Sequence, residues 1–257
     1  MELPSPLMFL YTFLTSPLAV AAPAALPSLN QPQAILALCY LIHYLNRAII
    51  SPLRTPSRSK SHIIVPMSAI LFNIINGGLM GSYLSSPFAR TYLAKATPTF
   101  YVGLTLWAVG FAGNIMHDEI LLNIRRKAKT KGKSKTGAGE HYAIPQGGLY
   151  SIISYPNYFC EWLEWLGFAL AASPIPFSLA GLSVSSLTSV LLDPNTYVSF
   201  VNTPANLWFP SFSPPWVFLL NEVFVMLPRA YRGHLWYKRK FGDAYPKERK
   251  AVIPFVF

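Results

Sequence analysis

The stretch YAIPQGGLYSIISYPNYFCEWLEW, Tyr142–Trp165, decides how the chain is read. It opens as a loop, with Pro145 and the pair Gly147-Gly148. It closes as an apolar helix that carries Asn157, Glu161 and Glu164. Asn157 and Glu161 are four apart and share a helix face. A carboxylate in the first turns also suits the helix dipole, which gives Glu161 a structural reading. An end-cap needs no second carboxylate inside the run YFCEWLEW, so the pair points to function. Glu164 has no role that the sequence assigns.

Working outward, 52% of the 257 residues are hydrophobic and 12% are charged. A soluble domain of this length carries about a quarter charged residues. Apolar runs of about 18 residues or more read as membrane spans. They lie at 7–25, 33–51, 63–85, 98–122, 148–172 and 215–236. Backbone in lipid must satisfy its own hydrogen bonds, which favours helices. The expected fold is an all-α, polytopic membrane bundle of six spans, forming one domain over 1–257. The segment at about 174–213 is Ser- and Pro-rich and reads as an insert that is either a loop on the face opposite the basic loops or re-entrant. The first run has no basic region before it, and Glu2 precedes it, so it does not read as a cleaved signal. Cys39 and Cys160 sit inside apolar runs and read as packing residues. Nothing suggests a metal site.

The net charge is +11, and the basic residues gather in three places: 52–62, 123–146 and the tail from 229. With six spans all three fall on one face, which the positive-inside rule makes cytosolic. These loops can be topology signals, or they can attract an anionic substrate or cofactor.

Ionisable groups inside spans are functional candidates, because burying them is costly. The second span carries His43, Tyr44, Asn46 and Arg47, with Tyr44 and Arg47 three apart on one face. The fourth ends in GNIMHDEILLNIRRK, where Asn114, Asp118 and Arg125 share a face. They can bind a nucleotide cofactor, or cap and pair with the basic loop. In the tail, Arg229, His234 and Tyr237 can contact phosphates, or the tail can lie flat on the membrane. The terminal IPFVF is apolar and is expected to pack back onto the domain. No G-x-G-x-x-G follows a strand, so a dinucleotide site here is not of the Rossmann kind.

Seven pieces in order then match a known family: ELPS at 2–5, HYLNR at 43–47, NGGLMGSYL at 76–84, GNIMHDEIL at 113–121, YAIPQGGLY at 142–150, YPNYFCEWLEWLGFAL at 155–170 and the tail 229–257. The chain resembles the steroid 5α-reductase family over nearly its whole length except 174–213. The resemblance implies seven helices in the endoplasmic reticulum membrane and NADPH bound at the cytosolic side. It implies reduction of the carbon–carbon double bond of a 3-oxo-4-ene steroid or similar lipid enone. Tyr44 would then hydrogen-bond the substrate carbonyl with Glu2 beside it, and Arg47 would contact substrate or cofactor. Asn114, Asp118, Arg125, Tyr142, Asn157, Glu161, Arg229, His234 and Tyr237 would line the NADPH site. The family has a helix before ELPS, so the expectation here is a chain without that leading helix. Two other readings stand beside this one. One is a trans-2-enoyl-CoA or polyprenol reductase of the same superfamily. The other is a non-catalytic membrane protein that keeps the cofactor site. No feature points to nucleic acid, and the expected state is a monomer.

Overall fold

A computed structural model describes residues 1–19, 26–55, 62–130, 142–176, 193–195, 198 and 212–257. Among these residues the protein is all-α, with seven helices. They are α1 (Pro4–Thr15), α2 (Pro32–Leu45), α3 (Ile64–Leu84), α4 (Pro87–Tyr92), α5 (Pro98–Thr130), α6 (Pro156–Ala172) and α7 (Pro214–Phe241). Six of the seven open on proline. Proline fixes φ for the first turn, where its missing N–H costs nothing. The helix α2 does not stop at Leu45. It passes through a π turn at Asn46–Ile50 and ends in Ser51–Arg54.

Among the described residues three helices are long and apolar enough to cross a membrane: Pro32–Arg54, Ile64–Leu84 and Pro98–Ala128. They match the second, third and fourth spans read from the sequence. The other three spans need correction in their bounds. The first, read as 7–25, is the helix Pro4–Thr15, ended by Ser16 in the left-handed conformation at φ 47°. The fifth, read as 148–172, begins only at Pro156, because the residue before a proline is steered away from helical angles. Its first eight residues form a loop with a 3-10 turn at Gly148–Ser151. The sixth, read as 215–236, runs on through Pro228 to Phe241. The expected insert at 174–213 lies largely outside the described residues.

The core is built by two close helix pairs. Small residues let backbones approach in membrane bundles, and α5 and α6 meet that way. A methyl added at Gly103 would lie 2.5 Å from the Gly167 carbonyl oxygen, and one at Gly113 would lie 2.7 Å from Cys160 Sγ. Cys160 and Cys39 are both buried and free, as packing residues. The helices α1 and α3 meet at Gly77, where an added methyl would lie 2.9 Å from the carbonyl carbon of Ser5. Gly78, one residue on, faces open space. Gly77→Val is therefore expected to cost about 1–3 kcal/mol by overpacking. Gly78→Ala should be neutral or raise stability by up to about 1 kcal/mol. Thermal unfolding of the two variants in detergent checks this, and equal melting points would refute the contact.

Aromatic packing fills the space between α1, α2, α6 and α7. Tyr40 stacks on Phe9 at 4.3 Å, Trp165 meets His43 at 4.7 Å, and Phe218 meets Trp165 at 4.5 Å. The chain end folds back against the start of α6. Lys250 N donates to Ile152 O at 2.8 Å, and Tyr155 N donates to Ala251 O at 3.0 Å. Val252 is buried with Trp162, Met226 and Ala230. The expectation that IPFVF packs onto the domain is met only at its threshold. Ala251 and Val252 are buried, whereas Phe255 is 79% and Val256 73% exposed, and Phe257 touches the bundle through the Tyr231 ring at 5.4 Å.

Candidate active site

Close packing of α1 on α3 places Ser5 over α2. Ser5 Oγ lies 2.7 Å from the Tyr40 hydroxyl. From α3, Asn76 Nδ2 donates to Tyr44 OH at 2.8 Å and to Tyr40 OH at 3.1 Å. Tyr44 is 4% exposed. Because the amide occupies an acceptor position on the Tyr44 oxygen, the phenol keeps its own proton to donate. A cavity of about 350 Å³ opens beside it between α1 and α2, lined by Leu3, Leu7, Leu38, Leu41, Ile42 and Tyr44.

One helical turn beyond Tyr44, the π turn carries Arg47. Such turns occur often at functional sites. Arg47 Nε pairs with Glu2 Oε2 at 3.2 Å. Its guanidinium also lies within electrostatic reach of Glu161, Asp118 and Glu222. Arg47 thus ties Glu2, just before α1, to the π turn that continues α2, and its charge is felt by acids on α5, α6 and α7.

The helices α5 and α6 share a chain of amides and carboxylates. Asn114 Nδ2 donates to Glu161 Oε2 at 3.1 Å and to Asn157 O at 3.2 Å. Asn157 Nδ2 donates to Asp118 Oδ1 at 3.0 Å. Asn157 Oδ1 is buried without a hydrogen-bond partner among the described residues. Glu164, left without a role by the sequence, is 0% exposed and lies 2.7 Å from His43 Nδ1. The two faces of α6 therefore serve different neighbours: Glu161 turns to α5, and Glu164 turns to α2.

The loop before α6 is pinned from two sides. Leu149 N donates to His117 Nε2 at 3.0 Å. That leaves the His117 proton on Nδ1, which donates to Gly113 O at 2.6 Å. Gly148 sits at φ 54°, and an added methyl would lie 2.7 Å from His117 Nε2. Both the angle and the space demand glycine. Burial pushes the Tyr150 phenol up from its ordinary value, so it stays a neutral donor towards His117 O at 3.5 Å.

From the tail, Arg249 is 2% exposed and reaches Pro145 O at 3.3 Å and Gln146 Oε1 at 3.5 Å. Its guanidinium lies 5.1 Å from the centre of the Tyr245 ring. Arg249→Ala is expected to lose about 2–3 kcal/mol, the worth of charge-assisted hydrogen bonds to a buried cation. Arg249→Lys should recover little, since an ammonium cannot span both oxygens. Denaturant unfolding measures the loss, and proteolysis within 142–150 should quicken. A lysine variant of full stability would show that the fork is not needed.

The remaining sequence candidates divide by exposure. His234 is buried, with Nδ1 2.6 Å from Ser154 Oγ, which is itself 2.6 Å from Tyr245 OH. Tyr237 stacks on Tyr245 at 5.6 Å. Tyr142 packs edge-on against Trp236 at 4.7 Å. Arg125 and Arg229 are exposed. The structure thus joins Asn114, Asp118, Asn157 and Glu161 by hydrogen bonds, pairs Glu2 with Arg47 and bonds Tyr44 to Asn76, with the Arg47 charge within reach of Glu161 and Asp118. It sets His234, Tyr237 and Tyr142 in an aromatic layer with the tail.

A model of the 3-oxo-5-alpha-steroid 4-dehydrogenase family matches residues 59–192 and 205–257. The chain belongs to that family. It is 33% identical over 257 residues to the rat 3-oxo-5-alpha-steroid 4-dehydrogenase 1, covering 99% of this chain and 77% of the rat protein. It is 33% identical over 226 residues to the tomato steroid 5-alpha-reductase DET2, covering 85% and 67%. An uncharacterized protein of Schizosaccharomyces pombe is 35% identical over 271 residues, covering 100% of this chain and 82% of that protein. The resemblance read from the motifs is confirmed. Membership of the 3-oxo-5-alpha-steroid 4-dehydrogenase family makes this an oxidoreductase, and its apolar helices make it a membrane protein.

Within that family framework, sequence reasoning missed Ser5, Tyr40, Asn76 and Glu222. Ser5 and Asn76 stand in the quoted pieces ELPS and NGGLMGSYL, so the signal was present without its geometry. Glu222 is a lone carboxylate in the apolar run VFLLNEVFVML, which by itself marks a candidate.

Proposed function

We propose that this protein reduces the carbon–carbon double bond of a 3-oxo-4-ene steroid, or a similar lipid enone, with NADPH as hydride donor. The observation that carries the reading is a pair of buried hydrogen-bonded polar clusters, with the charge of Arg47 within electrostatic reach of the second. The first holds a buried phenol with a proton to give. The second is the Asn114–Glu161–Asn157–Asp118 chain, held together by hydrogen bonds.

Hydride arriving at the β-carbon of an enone puts negative charge on the carbonyl oxygen. Tyr44 donates to that oxygen, and Asn76, by donating to Tyr44, stabilises the charge the phenol takes on. Glu2 is held by Arg47, one helical turn beyond Tyr44, and helps orient the substrate carbonyl. The apolar cavity of about 350 Å³ next to Tyr44 lies within the usual size range for small-molecule sites and suits a steroid-sized lipid.

The residues also fit a nicotinamide dinucleotide. The unpartnered Asn157 Oδ1 is an acceptor for a carboxamide or hydroxyl donor, and Glu161 and Asp118 offer further acceptor oxygens. The exposed Arg125 and Arg229 would pair with phosphates. His234, Tyr237 and Tyr142 would border the same cofactor, and Arg47 would contact cofactor or substrate. The bound nicotinamide supplies the hydride. The protein's part is to orient it and keep water out. We place the site in the endoplasmic reticulum membrane, with the basic loops and the tail on the cytosolic side.

Purified protein in lipid, given NADPH and a 3-oxo-4-ene steroid, should yield the 5α-reduced ketone. The absence of product from folded protein across a panel of such steroids would reject the assignment. Consumption of NADPH with a trans-2-enoyl-CoA instead would move the substrate to that class.

A further inference from the structure

The proposed reduction leaves one proton unassigned, the one that the α-carbon must gain. Five carboxyl groups lie within electrostatic reach of Arg47: Glu2, Asp118, Glu161, Glu164 and Glu222. Four are held by a partner. Glu2 pairs with Arg47 at 3.2 Å and Glu164 lies 2.7 Å from His43. Glu161 accepts from Asn114 at 3.1 Å and Asp118 accepts from Asn157 at 3.0 Å. Glu222 alone has neither a hydrogen bond nor an ion pair among the described residues.

Its position on α7 is not a surface position. Phe218, Glu222, Met226, Ala230 and His234 recur at intervals of four and lie on one stripe of the helix. The other four members are 6%, 5%, 0% and 5% exposed. Glu222 is therefore the one acid on the buried face of α7, and it is only partly buried. Both facts place its carboxyl on the inward face of α7 without enclosing it fully. Within electrostatic reach of it are Glu2 before α1, His43, Tyr44 and Arg47 on α2 and its π turn, and Glu161 on α6.

We infer that Glu222 is the acid that protonates the α-carbon of the enolate. This rests on the enone-reductase reading above. A C–H bond forms at the β-carbon with the hydride, the hydride donor is oxidised by two electrons, and the enone's electron pair moves onto the carbonyl oxygen against Tyr44. As that pair collapses back, a C–H bond forms at the α-carbon while the Glu222 O–H bond breaks. The carboxylate then regains its proton from water after the product has left. Tyr44 on α2 and Glu222 on α7 approach from different helices, so the group that holds the oxygen is not the group that delivers to carbon. The carboxyls paired with Arg47 and His43 would have to give up an ion pair to carry a proton, and Glu222 has none among the described residues to give up.

Two measurements on the full protein test this. In steady-state reduction, Glu222→Gln should lower kcat about 100-fold, the low end of a general acid's contribution, with KM for the enone changed less than about threefold. In deuterated water without any nicotinamide, the wild-type protein should exchange the α-hydrogens of the saturated 3-oxo steroid faster than buffer does. By microscopic reversibility the same carboxylate then acts as the base. Glu222→Gln should abolish this exchange, and Glu222→Asp should retain part of it, both read by mass spectrometry. Wild-type protein that reduces the enone but shows no exchange would overturn the inference. So would a glutamine variant with normal kcat, or one that raises KM alone, which would make Glu222 a binding contact. If the wild type reduces no enone at all, the proposed function fails instead.

Discussion

Tyr44→Phe is expected to lower kcat about 100- to 1,000-fold while the protein stays folded. The size follows from what is removed. A preorganised donor aimed at a developing oxyanion is worth about that factor when deleted. Folding should survive because the ring stays. Asn76 keeps Tyr40 OH at 3.1 Å and Ser5 Oγ at 3.4 Å as acceptors, so its amide is not orphaned. The ring contacts with Tyr40 at 4.8 Å and His43 at 5.0 Å do not need the hydroxyl. The control is Tyr40→Phe. It removes a hydroxyl from the same network but from the side of Ser5, and should leave kcat within about tenfold of wild type, as fits the loss of a supporting hydrogen bond. Turnover of the two variants decides the matter. If Tyr40→Phe were the more damaged, the donor role would belong to Tyr40.

Glu164→Leu is expected to destabilise the protein by about 3–5 kcal/mol, the cost of stranding one member of a buried pair. His43 would lose its 2.7 Å partner inside a wall made by Trp165, Tyr44 and Phe111. Glu164→Gln, which keeps an acceptor, should lose about 1.5–3 kcal/mol. The distinctive outcome is the double variant. Replacing both members of a buried pair by apolar groups is often close to neutral. His43→Leu with Glu164→Leu should therefore be more stable than Glu164→Leu alone. Denaturant titration in a mild detergent measures all three. A Glu164→Leu protein with unchanged stability would show that the pair carries nothing.

The sequence revealed the parts whose signal is local. The helices α2, α3 and α5 are apolar over enough length to announce themselves. The Asn157–Glu161 and Asn114–Asp118 pairs follow from a spacing of four. What it hid is long-range or angular. Glu164 had no role because its partner is 121 positions away. The start of α6 was read eight residues early because the apolar composition runs unbroken through Tyr155-Pro156, where only backbone angles change. The length of the first span was overread for the same kind of reason, since Ser16 ends α1 by its dihedral and not by its polarity. Glu222 was visible as a lone carboxylate in an apolar run, but its role depends on which stripe of α7 it occupies and on four other acids that already have partners.

The Arg249 fork has a further meaning on the clock of protein synthesis. Its acceptor Pro145 is made 104 positions before it. At roughly 5–20 residues per second, a growing chain carries the loop 142–150 for about 5–20 s before the guanidinium that fastens it exists. During that interval α6 can already pack on α5, but its entrance hangs from His117 alone. A chaperone or insertase that attends this protein therefore meets a bundle with its long helices in place and its doorway unlatched.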